Sequence, residues 1–231
     1  MVDRKIRSTN LKTVNMKPKK FFTGLLFFSF LLMMGLGSCR KDPLKNMTNE
    51  ESRIYISNYD TAAQFETYQT FSVEDSVSVI QNNQLLGKQL GSFETNVLQA
   101  ISQAMKSRGY TQVDKSASPD LAINVARVSN TSTGIFSYPD YWGGYGGFYD
   151  PFYWGYPGYG YYAPYFIGVY TIESGGLEID LLDLKNAAAN GNKIQVLWTG
   201  LARGEQVFSP GNAAAEVNAL FDQSSYLKAT N

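Results

Sequence analysis

Three groups of residues in this chain have side chains and spacing that could do chemistry: one cysteine, a scatter of carboxylates and a dense run of aromatic rings. The cysteine is Cys39, which ends Leu36-Gly37-Ser38-Cys39, and a thiol set just behind small residues at the end of an apolar run suits attachment of a lipid. The carboxylates are Asp140, Asp150, Glu178 and Asp180; two such groups flanking a glycosidic bond can act as acid and as base or nucleophile. The rings are Tyr141, Trp142, Tyr145, Tyr149, Tyr153, Trp154, Tyr156 and Tyr159, a candidate binding surface. Histidine is absent, so no Ser-His-Asp or Cys-His pairing and no histidine zinc site can be assembled, and one cysteine makes no disulfide. No metal site and no cofactor is expected.

Each chemical reading has a plainer one beside it. Glu178 and Asp180 alternate with apolar residues in Gly176 to Leu184, so they share a face that an antiparallel strand would normally turn to solvent. The rings belong to Phe136 to Phe166, about half aromatic and otherwise mostly Gly and Pro, which excludes a regular helix or a central strand. Such a loop can cover the edge of its own domain, enter a membrane interface, offer a glycan or peptidoglycan platform, or self-associate. The first of these is the plainest, because Tyr buries a large ring and keeps its hydroxyl wet.

The elements that must position these groups follow in order. Met16 to Cys39 holds Lys17, Lys19 and Lys20, then an apolar run from Phe21 to Leu36, then the cysteine, and it resembles a lipoprotein signal with a lipobox. The run is short for a membrane span, which takes about 20 apolar residues. Residues 1–38 are therefore read as a signal peptide with its true start at Met16, cleaved before a diacylglycerol-bearing Cys39. Residues 39–53, polar and containing Pro43, read as a flexible tether. Beyond the signal, thirteen basic side chains face nineteen acidic ones, a net charge of −6 that disfavours nucleic acid.

Residues 54–231 suit one domain. Ile54 to Ile56 and Tyr68 to Val73 read as strands, with Phe65 plugging the link between them. Ser92 to Arg108 places Phe93, Val97, Ile101, Ala104 and Met105 on one helical stripe, with Ser92 as N-cap and Gly109 at the left-handed exit. Leu121, Ile123 and Val125 share a strand face for that helix to cover. Gly176 to Leu184 and Lys193 to Gly200 form a hairpin in which Ile194, Val196 and Trp198 share a face, and Ser209-Pro210 opens a last helix. The fold class is α+β: a mostly antiparallel sheet, two amphipathic helices on one face, and the aromatic insert, residues 134–170, between central strands. Asp60-Thr61-Ala62 and Asp75-Ser76-Val77 resemble the O-glycosylation signal of some bacteria, making Thr61 and Ser76 candidate sites.

With these pieces in order, the chain resembles the bacterial lipoprotein family known as domain of unknown function 4136 (DUF4136). The lipobox, Tyr68-Gln69-Thr70-Phe71, Gly109-Tyr110, Pro119-Asp120-Leu121, the Gly/aromatic insert, Gly176 to Asp180 and Trp198-Thr199-Gly200 carry the resemblance. It implies architecture and compartment but no site residues. The reading is a non-enzymatic binding or structural lipoprotein anchored in the bacterial envelope through Cys39, with a glycan, peptidoglycan or envelope protein as partner. Arg40 in place of Asp after the cysteine favours the outer membrane, by analogy with enterobacterial sorting. The alternative is a cell-wall glycan hydrolase using the carboxylates. Cys39→Ala is expected to abolish incorporation of radiolabelled fatty acid; undiminished labelling would overturn the anchor.

Overall fold

Pairing of Val, Ile, Leu and Thr-rich runs builds a nine-stranded sheet in this computed structural model, which describes residues 48–82, 84–129, 151, 154–162 and 175–230, the side chains of 161 and 162 excepted. Cys39, Asp140, Asp150, Tyr141, Trp142, Tyr145, Tyr149 and Tyr153 lie outside the described residues. The strands are β1 Ile54–Tyr59, β2 Thr70–Val73, β3 Val77–Gln81, β4 Gln84–Gln89, β5 Thr111–Gln112, β6 Leu121–Ser129, β7 Gly160–Tyr162, β8 Gly176–Asp183 and β9 Lys193–Arg203. The helices are α1, Ser92–Ser107, and α2, Ala213–Asp222.

The order β1-β9-β8-β6-β2-β5 carries the sheet, with β3 and β4 added beside β6 and β7 beside β9. The ladders β1·β9, β8·β9, β6·β8 and β3·β4 are antiparallel, and β2·β5, β2·β6, β3·β6 and β7·β9 are parallel. The class is the α+β one the sequence implies. The β3–β4 hairpin was not legible as strands, although Asn82, with a left-handed φ of 48°, marks its turn.

Both helices lie on one face of the sheet. Phe93, Val97, Ile101 and Met105 of α1 and Val217, Leu220 and Phe221 of α2 pack with Leu121, Ile123, Val125, Leu177, Ile179 and Leu181. Gly91, not Ser92, caps α1: its N–H donates to Glu94 Oε2 at 2.9 Å. A Cβ at Gly91 would sit 2.8 Å from that carboxylate oxygen, so the reaching Glu94 side chain needs the space a glycine leaves. The other end closes as expected, Gly109 at φ 90° with Tyr110 N donating to Met105 O at 3.2 Å. The last helix starts at Ala213 rather than at Ser209-Pro210, which form a turn ahead of it.

Trp198 departs from its expected neighbours. β9 carries an extra residue where Leu181 pairs with Trp198 but Leu182 pairs with Val196. This bulge flips the strand, so Ile194 and Val196 face away from the helices while Leu197 and Trp198 face them. Trp198 is fully buried, packs against the tilted ring of Phe221 with 5.2 Å between ring centres, and donates from Nε1 to Ser224 Oγ at 2.8 Å.

The face away from the helices is also a core. Ile80, Ala122, Ala126, Val128, Leu182, Ile194, Val196 and Leu201 pack there with Trp154. This corrects the expected exposure of Glu178 and Asp180, which are only 2% and 1% exposed. Acid and apolar residues do alternate along β8, but alternation signals solvent only where the second face is open, and here both faces are covered. In register, Asn124, Asp180, Thr199 and Asn58 form a polar row across β6, β8, β9 and β1. Burial holds the Asp180 carboxyl well above its usual range, against the opposing pull of Asn124. Burial likewise pushes the α2 carboxyl Glu216 up to about 7, although Arg53 at 4.0 Å opposes it.

A Cβ at Gly200 would meet the Trp198 ring at 2.4 Å. Gly200→Ala is expected to cost ~1–3 kcal/mol, read as a lower urea midpoint with an unchanged slope; an unchanged midpoint would show that the ring has room to shift. The raised acids give a second expectation. A folded-state pKa above the unfolded value means that the folded protein binds the proton better, so stability is greatest below the unfolded value and is lost as pH rises through the folded one. For Glu216 that window runs from 4.5 to about 7. Melting temperature should therefore fall between pH 5 and 8, and less steeply in Asp180→Asn, which removes one buried ionisation; an equal fall in both proteins would remove Asp180 from the account.

Candidate functional site

The described part of the aromatic insert is fastened to the sheet. Trp154 is 1% exposed and lies in the second core rather than on an open surface. Tyr156 is half-buried, its hydroxyl 3.1 Å from Ser72 Oγ, and burial pushes that hydroxyl up to about 12. Lys115 ties the two together: its Nζ donates to the Trp154 carbonyl and to Glu74 Oε1, and lies 4.7 Å from the Tyr156 ring centre. Of the described candidate rings, Tyr159 alone is exposed, at 37%, just before β7. Glu178 and Asp180 share the second face, yet neither lines the cavities at Glu74, Lys106 or Asp60.

The cavity at Asp60 is the candidate site that sequence reading missed. It measures about 500 Å³ and opens at the sheet end where β1 leaves and the β8–β9 connection turns. Asp60, Tyr68, Asp183, Asn186, Asn190 and Gln195 are among its polar lining. Asp183 Oδ2 accepts from the Tyr68 hydroxyl at 3.0 Å and from Asn186 Nδ2 at 2.9 Å, while Oδ1 accepts from Asn186 N at 3.0 Å. Burial first, and the Asp183 charge second, hold the Tyr68 hydroxyl far above its usual range, so it stays a donor. Asp60 Oδ1 accepts from Ala62 N at 2.9 Å, and its Oδ2 accepts from Gln195 Nε2 at 2.5 Å. The sequence signal was slight: Asp60 read as part of a turn and Asp183 as one more acid of an alternating strand. Their meeting depends on the pairing of β1, β8 and β9.

The candidate glycosylation positions differ in setting. Thr61 is exposed in the turn that Asp60 stabilises, whereas Ser76 is half-buried and its Oγ donates to Asp75 Oδ1 at 2.8 Å.

Among known proteins, the chain is similar to the crystal structure of a DUF4136 family protein (BT2437) from Bacteroides thetaiotaomicron VPI-5482. The TM-score is 0.64 at 26% identity, covering 77% of this chain and 98% of that one. A PelC dodecamer from Paraburkholderia phytofirmans is a more distant match, with a TM-score of 0.37 at 10% identity over 78% of this chain and 99% of that one. No curated protein matches. The family model described as "Domain of unknown function (DUF4136)" matches residues 56–224, more than half of the chain, and the protein therefore belongs to the DUF4136 family.

Proposed function

We propose that this protein is a non-enzymatic binding or structural module, lipid-anchored through Cys39 in the bacterial envelope at the outer membrane, that meets its partner with the aromatic insert and the neighbouring end of the sheet. One observation carries the choice against hydrolysis. Of the four acids weighed for hydrolysis, the two described ones, Glu178 and Asp180, are buried under the second core, and a glycosidase must bring two carboxylates and water to one bond. The two carboxylates that do line an open cavity, Asp60 and Asp183, already accept bonds from Gln195 and from Tyr68 and Asn186, which suits recognition.

The described end of the expected tether, residues 48–53, packs with the domain. Thr48 and Glu51 close a reciprocal turn, with Thr48 N donating to Glu51 Oε2 at 2.8 Å and Glu51 N to Thr48 Oγ1 at 3.2 Å. Arg53 then lies 4.0 Å from Glu216, so the chain joins the domain before β1 begins.

Trimming the insert has a boundary. Pro151 to Tyr162 must stay, because Trp154 is core and β7 pairs with β9. A mature domain with residues 134–150 replaced by a short Gly-Ser link is expected to keep its melting temperature within about 3 °C. It should also lose most of its sedimentation with peptidoglycan sacculi or with outer-membrane-lipid vesicles. Equal sedimentation of trimmed and intact domains would remove the insert from the binding role.

A further inference from the structure

We infer that the cavity at Asp60, Tyr68, Asp183, Asn186, Asn190 and Gln195 binds an uncharged, polyhydroxylated ligand: a saccharide. The inference rests on the binding-module reading and names the ligand class. The lining excludes the other classes in turn. Two carboxylates line the cavity, and the nearby ammonium, Lys185 Nζ, is spent on Thr67 O at 2.6 Å and lies 5.5 Å from the Tyr68 ring centre, so the balance of charge disfavours phosphates and acidic sugars. No cluster of three metal-ligating side chains stands among the described residues, so a cation has no ready cage. Amides, carboxylates and a phenol are poor company for an apolar ligand, because each polar group covered by it would lose its bond to water.

What remains is a ligand that both donates and accepts around its rim. Adjacent sugar hydroxyls do this, and planar amide and carboxylate groups match them with paired bonds. The cavity is set for that before any ligand arrives. Asn186 spends its Nδ2 on Asp183 and Tyr68, at 2.9 and 3.1 Å, which turns its Oδ1 into a held acceptor. Gln195 spends Nε2 on Asp60, which leaves its Oε1 as a second. Asp60 is itself fixed by Ala62 N, and Asn190 is positioned by its own N–H to Asn186 O at 3.0 Å, with an exposed side-chain amide. Ordering costs that a loose site would meet on binding are thus met by the fold. A cavity of about 500 Å³ has room for a mono- or disaccharide. Tyr159 precedes the strand that pairs with the Lys193 to Gln195 stretch of β9, so an exposed ring joins the same end of the sheet.

The test is nitrogen-edited NMR of the mature domain, following the side-chain amides of Asn186, Asn190 and Gln195. Glucose, galactose, mannose and N-acetylglucosamine are each titrated to about ten times a millimolar Kd. At least one sugar is expected to shift the three amides along a saturable curve. Asn190→Ala with Gln195→Ala, both outside the Tyr68–Asp183–Asn186 network, should raise Kd at least tenfold, with the loss of the Gln195–Asp60 bond lowering the melting temperature by only about 5 °C. Glucuronic acid should bind more weakly than glucose. The inference is overturned if no sugar gives a saturable shift, if the double variant binds as well as the parent, or if glucuronic acid binds best. Because Cys39 labelling and sacculus sedimentation are read separately, a failed sugar titration leaves the envelope-anchor reading standing.

Discussion

The structure depends on one strand being dry on both faces. β8 sits between β6 and β9, and all eight of its residues are buried. Its odd members, Leu177, Ile179 and Leu181, receive the two helices, while its even members, Glu178, Asp180 and Leu182, lie against the second core. Covering the first face is ordinary amphipathic packing. The second face is costly, because carboxyl groups are removed from water there, and the fold meets that cost by holding at least Asp180 toward its neutral form. The polar row through Asn124, Asp180 and Thr199 keeps these groups beside other polar groups rather than beside hydrocarbon alone.

A single extra residue lets one strand serve two cores. Leu197 is the bulge in β9, and on either side of it the large side chains point to opposite faces: Ile194 and Val196 to one, Trp198 to the other. Gly200 keeps the space that the turned Trp198 ring occupies, and Ser224, beyond the last helix, satisfies the indole N–H. The second core is completed by Trp154, from a segment whose composition reads as loop. The described residues of the aromatic insert include a fastened stretch around Trp154 and Tyr156, clamped by Lys115 and Glu74, and Tyr159, which is open to solvent.

The candidate cavity is a by-product of how chain ends are tied off. Asp60 closes the exit of β1, Asp183 caps the turn after β8, and Gln195 enters β9. Each has a local structural task; Asp183 and Gln195 face each other across the β8–β9 hairpin, and Asp60 comes from far earlier in the chain. Pairing of β1, β8 and β9 gathers their polar ends in one place. The candidate site is thus made of fold-determined residues whose side chains allow recognition by hydrogen bonding.

Much was legible without coordinates, because it rests on local rules. The apolar stripe of α1, the left-handed exit at Gly109, the inward set Leu121, Ile123 and Val125, the plug at Phe65, the hairpin of β8 and β9 and the α+β class all follow from periodicity and turn chemistry within a few residues. Three things were not. Whether Glu178 and Asp180 are wet depends on what covers the second face, which alternation in β8 cannot report. The side to which Trp198 points depends on a one-residue bulge set by pairing with Leu181 and Leu182. The Asp60–Asp183–Gln195 cavity exists only once strands distant in sequence lie side by side. Local periodicity fixes which faces an element has; only tertiary packing decides what lies against each face, and so which polar groups are buried and which are left to meet a ligand.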